Sequence, residues 1–305
     1  MGKNERYFFN GVIRFLKPKK ILEVGVSSGG SAALILNAIK DIDGAHLYSV
    51  DYCENAYRYP DKQSGFLVDE KFPELKNKWT IYRGGDVSKF IEEIGGDIDL
   101  VLIDTMHIHP WESLNFLCVL PFMKRNNNSW VILHDIEAHF FAANFLACRY
   151  LWSHAVSDEK LSPAPETEDN SNYKRKYGRN IPHFANIGAF KITDDTFKYI
   201  GNVFEALLNP WISLPVDTVP ESQIHKLPCV IWPEDLNSIK KILAKYYPEY
   251  ITFFDHVLDF QKIMYADSLN RKPKGFIPAL KNFMWDAFPK TSSAIRAIKH
   301  IFKHK

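Results

Sequence analysis

The chain has 305 residues, 46% of them apolar and 24% charged, a composition that excludes a chain dominated by disorder and is long enough for one large α/β domain with an extension. Its 38 basic and 36 acidic side chains leave a formal charge of +2, too balanced to imply nucleic acid as an obligate partner. No segment approaches the roughly 18 uninterrupted apolar residues of a membrane span, and the opening MGKNERYFFNGVIRFLKPKK lacks an apolar leader core, so the expectation is a cytoplasmic chain.

Between residues 20 and 133, short apolar runs alternate with longer amphipathic stretches, the pattern of parallel strands joined by right-handed helical crossovers. Strands are expected at residues 21–25, 46–51, 79–83, 100–104 and 130–135, and runs of Val, Ile and Leu without polar alternation mark a sheet covered on both faces. Helices fit the gaps at 30–40, 87–94 and 110–123, with Pro110 suited to the first turn, where a missing N–H costs nothing. The aromatic and charged segment 52–78 is longer than a usual crossover and is expected to carry a small insertion over the sheet edge.

A helix is expected over 138–151, followed by a polar stretch, 156–183, that reads as a long loop. The apolar run 186–192 restores order, and Thr193, Asp194, Asp195 and Thr196 give a helix start running toward Leu208. Beyond a soft boundary near Pro215 no parallel-strand series continues, and 236–246 and 251–265 read as helices. The fold class is therefore α/β, a doubly wound Rossmann-like sheet over residues 1–215, with a helical C-terminal extension over 216–305 that ends in a basic tail. Cys53, Cys118, Cys148 and Cys229 form no C-x-x-C pair and are expected to be reduced fillers.

The first strand runs into ILEVGVSSGGSAALIL, where Gly25, Gly29 and Gly30 let the backbone turn sharply and approach a ligand before a helix begins. Ser27 stands where a dinucleotide fingerprint has its second glycine, which disfavours a pyrophosphate, and Glu23 suits an ammonium better than a phosphate. Asp51, at the end of the second strand, is placed to accept from both ribose hydroxyls, and Asp86, in GGDVSKF, to accept from an adenine amino group. Together these residues describe a site for an adenosine carrying a cationic amino-acid tail. A plain structural reading competes: glycine turns follow strands in any doubly wound fold, and a strand-end Asp often only caps a helix.

In these residues the chain resembles the class I S-adenosylmethionine-dependent methyltransferases, whose first, second and third motifs EVGVSSGG, SVDYCE and GGDV look like, over roughly residues 10 to 210. The resemblance implies a methyltransferase sheet in which Glu23 and the backbone around Gly25, Ser27 and Gly29 hold the methionine part, Asp51 the ribose and Asp86 the adenine edge of S-adenosylmethionine.

A second constellation follows the fourth and fifth strands, where IDLVLIDTMHIHP carries Asp104 and His107 and SWVILHDIEAH carries His134 and Asp135. If these strands are neighbours, about 4.8 Å apart, Asp104 and Asp135 converge, and paired carboxylates invite a hard divalent cation. Such an ion would orient a substrate hydroxyl and lower its pKa, with His107, at an unperturbed pKa of about 6.5, as the base. This part is similar to the metal-dependent O-methyltransferases of the macrocin and catechol type, a group that also includes cephalosporin hydroxylase-like enzymes. It implies Asp104, His134 and Asp135 as ligands for Mg²⁺ or Mn²⁺ and Asp104 and His107 as catalytic residues. Where that group more often has a carboxylate this chain has His134, which shifts the preference toward softer ions. Asp104 as a cap, His107 as a loop residue and His134 as a core histidine are the plain alternatives, and His109 and His139 are treated as structural.

Tyr173, Lys174, Arg175, Lys176 and Arg179 in the long loop suit an anionic or sugar-nucleotide acceptor, and solvation alone also explains them. In the basic tail, Ala294, Ile295, Ile298, Ile301 and Phe302 share a helical face that fits an anionic membrane surface, the protein's own core or a partner subunit of a homo-oligomer. The leading expectation is an O-methyltransferase acting on a small-molecule or sugar hydroxyl in a glycan or natural-product pathway. A catalytically silent S-adenosylmethionine-binding interaction protein and an NAD-dependent oxidoreductase stand behind it.

Overall fold

The structure, a computed structural model, describes residues 1–125, 128–138, 145–163, 186–225, 227 and 229–270. Its strands in chain order are β1 (Lys20–Val24), β2 (His46–Asp51), β3 (Asn55–Ala56), β4 (Tyr59–Gln63), β5 (Trp79–Arg83), β6 (Leu100–Ile103), β7 (Ser129–His134), β8 (Lys160–Leu161) and β9 (Ile187–Ile192). Seven of them form one sheet in the order β5-β2-β1-β6-β7-β9-β8. The first five run parallel, whereas β9 pairs antiparallel with both β7 and β8. The expected strands at 46–51 and 79–83 match β2 and β5, and the other three differ by a residue at their ends. The expected apolar run 186–192 supplies β9, so the described sheet is completed by a strand that reverses direction.

Helices α1 (Lys3–Leu16) and α2 (Gly30–Ile39) cover one face of the sheet. Side chains alternate sides along a strand, and Leu100 and Leu102 of β6 and Trp130 and Ile132 of β7 join Phe9, Ile13, Ile35 and Leu36 in that core. Each such side chain, fully removed from water, stabilises the fold by roughly 1.5–3 kcal/mol. On α1 the apolar residues Phe9, Val12 and Ile13 recur at helical spacing and are buried, which is why this N-terminal segment folds back on the sheet.

The segment between β2 and β5 is an insertion, as its length predicts: the β3–β4 hairpin and then α3 (Phe66–Lys71). After β5 come α4 (Val87–Ile94) and, after β6, α5 (Trp111–Val119), every residue of which is buried. Pro110 immediately precedes α5 instead of entering its first turn, and its peptide bond with His109 is cis. Within the expected helix 138–151, residues 139–144 lie outside the described residues, and α6 spans Ala147–His154.

After β9, the expected single helix toward Leu208 is two short ones, α7 (Asp194–Lys198) and α8 (Gly201–Ala206). Further on lie α9 (Glu221–Ile224), α10 (Pro233–Tyr246) and α11 (Ile251–Asn270), with a small parallel pair, β10 (Leu214–Pro215) and β11 (Val230–Ile231), before α10. One compact unit comprises Met1–Gln261, and within it α10 packs on α4 and α5. The second unit is Lys262–Lys305, whose described part, 262–270, is helical. Among the described residues no helix is long and apolar enough to cross a membrane.

Candidate active site

The β1–α2 turn carries the glycines. Gly25 (φ 95°) and Gly29 (φ 92°) occupy backbone regions that side chains resist. A Cβ on Gly25 would run into the Asp104 carbonyl far inside van der Waals distance, so the β1 turn and the β6 end touch through bare backbone. A Cβ on Gly29 would lie 3.0 Å from Gly65 Cα, because the insertion crosses the loop there. Gly65 N donates to Ser27 O at 2.8 Å and Leu67 N to Ser28 O at 3.0 Å, bracing the turn from above. Ser27 holds a positive φ of 50° where a dinucleotide fingerprint has glycine.

Asp51 builds this turn. Its Oδ2 accepts from Val26 N at 3.0 Å and Ser27 N at 2.6 Å, and its Oδ1 from Cys53 N at 2.8 Å. The carboxylate at the end of β2 therefore fixes the shape of the neighbouring loop, and any ribose contact uses what remains of its lone pairs. Glu23 lies deeper. It is fully buried beneath the turn, with Ser31 Oγ donating to one oxygen and Ser49 Oγ to the other at 2.7 Å, while Trp79 Nε1 donates to Ser49 Oγ at 2.9 Å. Burial pushes its pKa up to about 7, against the downward pull of the two hydroxyls. This hydroxyl shell makes Glu23 a support under the loop on which the sequence expects the methionine part to rest.

Asp86 caps α4 by accepting from Ser88 N at 2.9 Å, and its carboxyl is buried and pushed upward by that burial. Near it, Asp235 from the start of α10 accepts from Tyr52 Oη at 2.8 Å and pairs with Lys89 at 2.7 Å. The sequence singles out neither Tyr52 nor Asp235.

The second constellation forms because β6 and β7 are parallel neighbours with Ile103 opposite Leu133, so the residues just beyond them fall side by side. His107 Nε2 is 2.9 Å from Asp135 Oδ2 and 3.7 Å from Asp104 Oδ1. His134 Nδ1 is 3.2 Å from Asp104 Oδ1 and 3.5 Å from Asp135 Oδ2. All four residues that the sequence names thus meet at one spot, in the mouth that open α/β sheets present at their strands' carboxyl ends. Asp104 and Asp135 keep 24% and 26% of their side-chain surface exposed, enough for a ligand to reach them.

Four further residues organise the cluster. Glu5 of α1 stands 3.4 Å from His134 Nε2, and Asn186, just before β9, donates to Asp135 Oδ1. Glu112 of α5, fully buried, accepts at Oε1 from His107 N at 2.7 Å and from Thr105 Oγ1 at 2.8 Å, which locks the turn carrying His107 at φ 62°. Cys148 of α6 lies with Sγ 3.5 Å from His107 Nδ1.

The electrostatics differ from the sequence expectation. Burial alone would lower the His107 pKa, but hydrogen bonding to Asp135, Cys148 and Glu112 outweighs it and holds the imidazole above its ordinary range. His134 is likewise lifted well above its ordinary value, burial being overcome by the Asp104 charge and bonds to Asp104, Asp135 and Glu5. Burial would raise Asp135, yet the two imidazoles hold it well below the usual carboxylate range. Pairing with Asp135 favours the charged form of His107, and release of that carboxylate would return the ring toward the neutral base that the sequence predicts. His109, by contrast, is buried and pushed by that burial down to about 3, in keeping with a structural role.

A cation fits this donor set. Among the described residues, Asp104, His107 and Asp135 bring their donor atoms within 4.8 Å of one another; the two carboxylates would hold Mg²⁺ or Mn²⁺, with the imidazole beside them. Tyr173, Lys174, Arg175, Lys176, Arg179, His139 and the tail residues Ala294, Ile295, Ile298, Ile301 and Phe302 lie outside the described residues.

Compared with known proteins, residues 22–136 match a family described as a methyltransferase domain, a span that holds every site residue from Glu23 to Asp135. No curated protein matches. Among solved structures, the O-methyltransferase TomG from Streptomyces achromogenes, involved in tomaymycin synthesis and in complex with SAM, is 12% identical with a TM-score of 0.46, covering 63% of this chain and 81% of that one. A putative O-methyltransferase from Klebsiella pneumoniae gives the same values, and an O-methyltransferase from Bacillus cereus in complex with SAH is 12% identical with a TM-score of 0.43, covering 63% and 82%. At that level of likeness these neighbours carry no argument about chemistry.

Proposed function

We propose that this chain, whose residues 22–136 match a methyltransferase domain, binds S-adenosylmethionine and methylates a hydroxyl oxygen of a small molecule or sugar with the help of a divalent cation. The observation that carries the reading is the meeting of Asp104, His107 and Asp135 directly against the glycine turn, Gly25 being packed on the backbone of Asp104. Cofactor turn and acidic cluster are one continuous surface, so an acceptor held by the cluster is close to whatever the turn holds. Positioning is the main demand of methyl transfer.

In the proposed reaction the acceptor oxygen attacks the sulfonium methyl carbon, a C–O bond forms as the S–C bond breaks, and S-adenosylhomocysteine leaves neutral at sulfur. The acceptor proton must go to the protein. A divalent cation at Asp104 and Asp135 would polarise the acceptor hydroxyl and draw from His107 the carboxylate that keeps it protonated. With that carboxylate engaged elsewhere, His107 would release its Nε2 proton to solvent and so be free to take the acceptor proton there, while Glu112 keeps its ring in place through the turn backbone. Glu23, Asp51 and Asp86 hold the turn, the β2 end and the α4 start in the shape that receives the adenosyl group.

The test is transfer of a labelled methyl group from S-adenosylmethionine to a panel of hydroxylated acceptors, sugars and phenols included, with Mg²⁺ or Mn²⁺ and with chelator. Label appearing as a methyl ether, lost on chelation and in Asp104→Asn, supports the proposal. Label on nitrogen or carbon, or transfer unaffected by chelator, contradicts the oxygen or the cation respectively.

A further inference from the structure

His107 has two sides. Its Nε2 faces the carboxylates described above; its Nδ1 faces inward, 3.5 Å from Cys148 Sγ and 3.5 Å from Glu112 Oε1. Nothing in the proposed methyl transfer uses Cys148, and the inner trio brings together a thiol, an imidazole and a carboxylate within 4.8 Å. Ligand atoms around a tetrahedral centre with bonds of about 2.0–2.3 Å stand roughly 3.3–3.8 Å apart. Both contacts at Nδ1 have that spacing. Glu112 adds an independent sign: it is fully buried, its Oε1 is taken by Thr105, His107 N and the imidazole, and its Oε2 has no hydrogen-bond partner. An orphaned buried carboxylate oxygen is costly to leave unsatisfied, and a cation held by this carboxylate would supply the missing partner.

The geometry points to a second cation site, built by Cys148, His107 Nδ1 and Glu112, that takes a borderline or soft divalent ion such as Zn²⁺ or Cd²⁺. The donors decide the class. A thiolate and an imidazole select Zn²⁺-type ions, whereas the outer carboxylates suit hard ones. Thiolate and carboxylate together neutralise a divalent charge, which suits a buried position; the thiol and the Nδ1 of the imidazolium each give a proton to solvent as their bonds to the metal form. The inner site stands on these residues alone and does not depend on the acceptor or on methyl transfer.

The probe is Cd²⁺, titrated into chelator-stripped full-length protein and read by the ultraviolet charge-transfer absorbance of a cadmium–thiolate bond. The expected result is absorbance for one thiolate that vanishes in Cys148→Ser, persists in a Cys53→Ser/Cys229→Ser double variant, and resists displacement by excess Mg²⁺. Glu112→Gln is expected to weaken Cd²⁺ binding at least tenfold. Cadmium NMR of the unmodified protein and the double variant covers the case in which Cys148→Ser does not fold: a resonance shifted by a single sulfur ligand and retained in the double variant supports the site. No thiolate absorbance in the unmodified protein, absorbance that survives Cys148→Ser, or a sulfur signal lost in the double variant overturns it and leaves the 3.5 Å contact as an S–H···N hydrogen bond.

Discussion

The two ends of the candidate site use the same residue type in opposite ways. At the glycine turn the carboxylates are engaged by their own fold: Glu23 by Ser31 and Ser49, Asp51 by three backbone N–H groups, Asp86 by the start of α4. At the ends of β6 and β7, Asp104 and Asp135 face two imidazoles and solvent, and their charge is balanced by groups that can give up a proton. Engaged carboxylates set shape and change little when a ligand arrives. Those held by exchangeable partners are where chemistry can happen. The difference teaches that acidity in a strand-end residue is not by itself a functional mark; what the oxygens are already doing is.

The largest effect expected from this contrast is at the seam between the ends. Gly25→Ala forces a Cβ into the Asp104 carbonyl at a positive φ and is expected to cost about 2–5 kcal/mol, along with S-adenosylmethionine binding, as read by urea unfolding and calorimetric titration. A near-neutral Gly25→Ala would show that the two ends do not share that backbone contact.

Next in size, Asp104→Asn and Asp135→Asn are expected to lower methyl transfer by about 10²–10⁴-fold while S-adenosylmethionine affinity changes less than about tenfold, because that carboxylate pair belongs to the acceptor side. Equal losses in binding and turnover would erase the distinction between the ends.

Glu23 tests the engaged end through pH. Its folded pKa of about 7 lies above the ordinary 4.5, so the stability it contributes is fully present below about 4.5 and is lost as pH rises through about 7. Glu23→Gln has nothing to ionise, so its stability relative to the parent is expected to climb by about 3 kcal/mol across that window. Parallel stability curves for the two proteins would show that the carboxyl is not held protonated.

The smallest effect on stability is at Asp86, where Ala removes a helix cap and is expected to cost about 1 kcal/mol in thermal unfolding.

Most of the sheet was legible because β6 is an uninterrupted apolar run, β1 and β7 are mostly apolar, and Gly25 and Gly29 stand where the backbone needs positive φ. The β6–β7 pairing needed only the rule that such strands are neighbours to bring Asp104, His107, His134 and Asp135 together. The charge state of His107 was not legible. It is set by Glu112, five residues away but on a separate helix, and by Cys148 and Asp135, which are distant in sequence. Helix α1 passed unread although Phe9, Val12, Ile13 and Leu16 repeat at helical spacing, and Glu5 with it, since its pairing with His134 spans 129 positions and leaves no local trace. Cys148 reads as a filler by spacing alone; only its place beside Nδ1 makes it a donor.

The most direct test of the central claim is calorimetric titration of the full chain with S-adenosylmethionine and, in parallel, with NAD, repeated on Asp104→Asn. Binding of S-adenosylmethionine by both proteins, with none of NAD, is the predicted result and assigns the cofactor to the glycine turn. No heat with S-adenosylmethionine, or a preference for NAD, would contradict the account at its root.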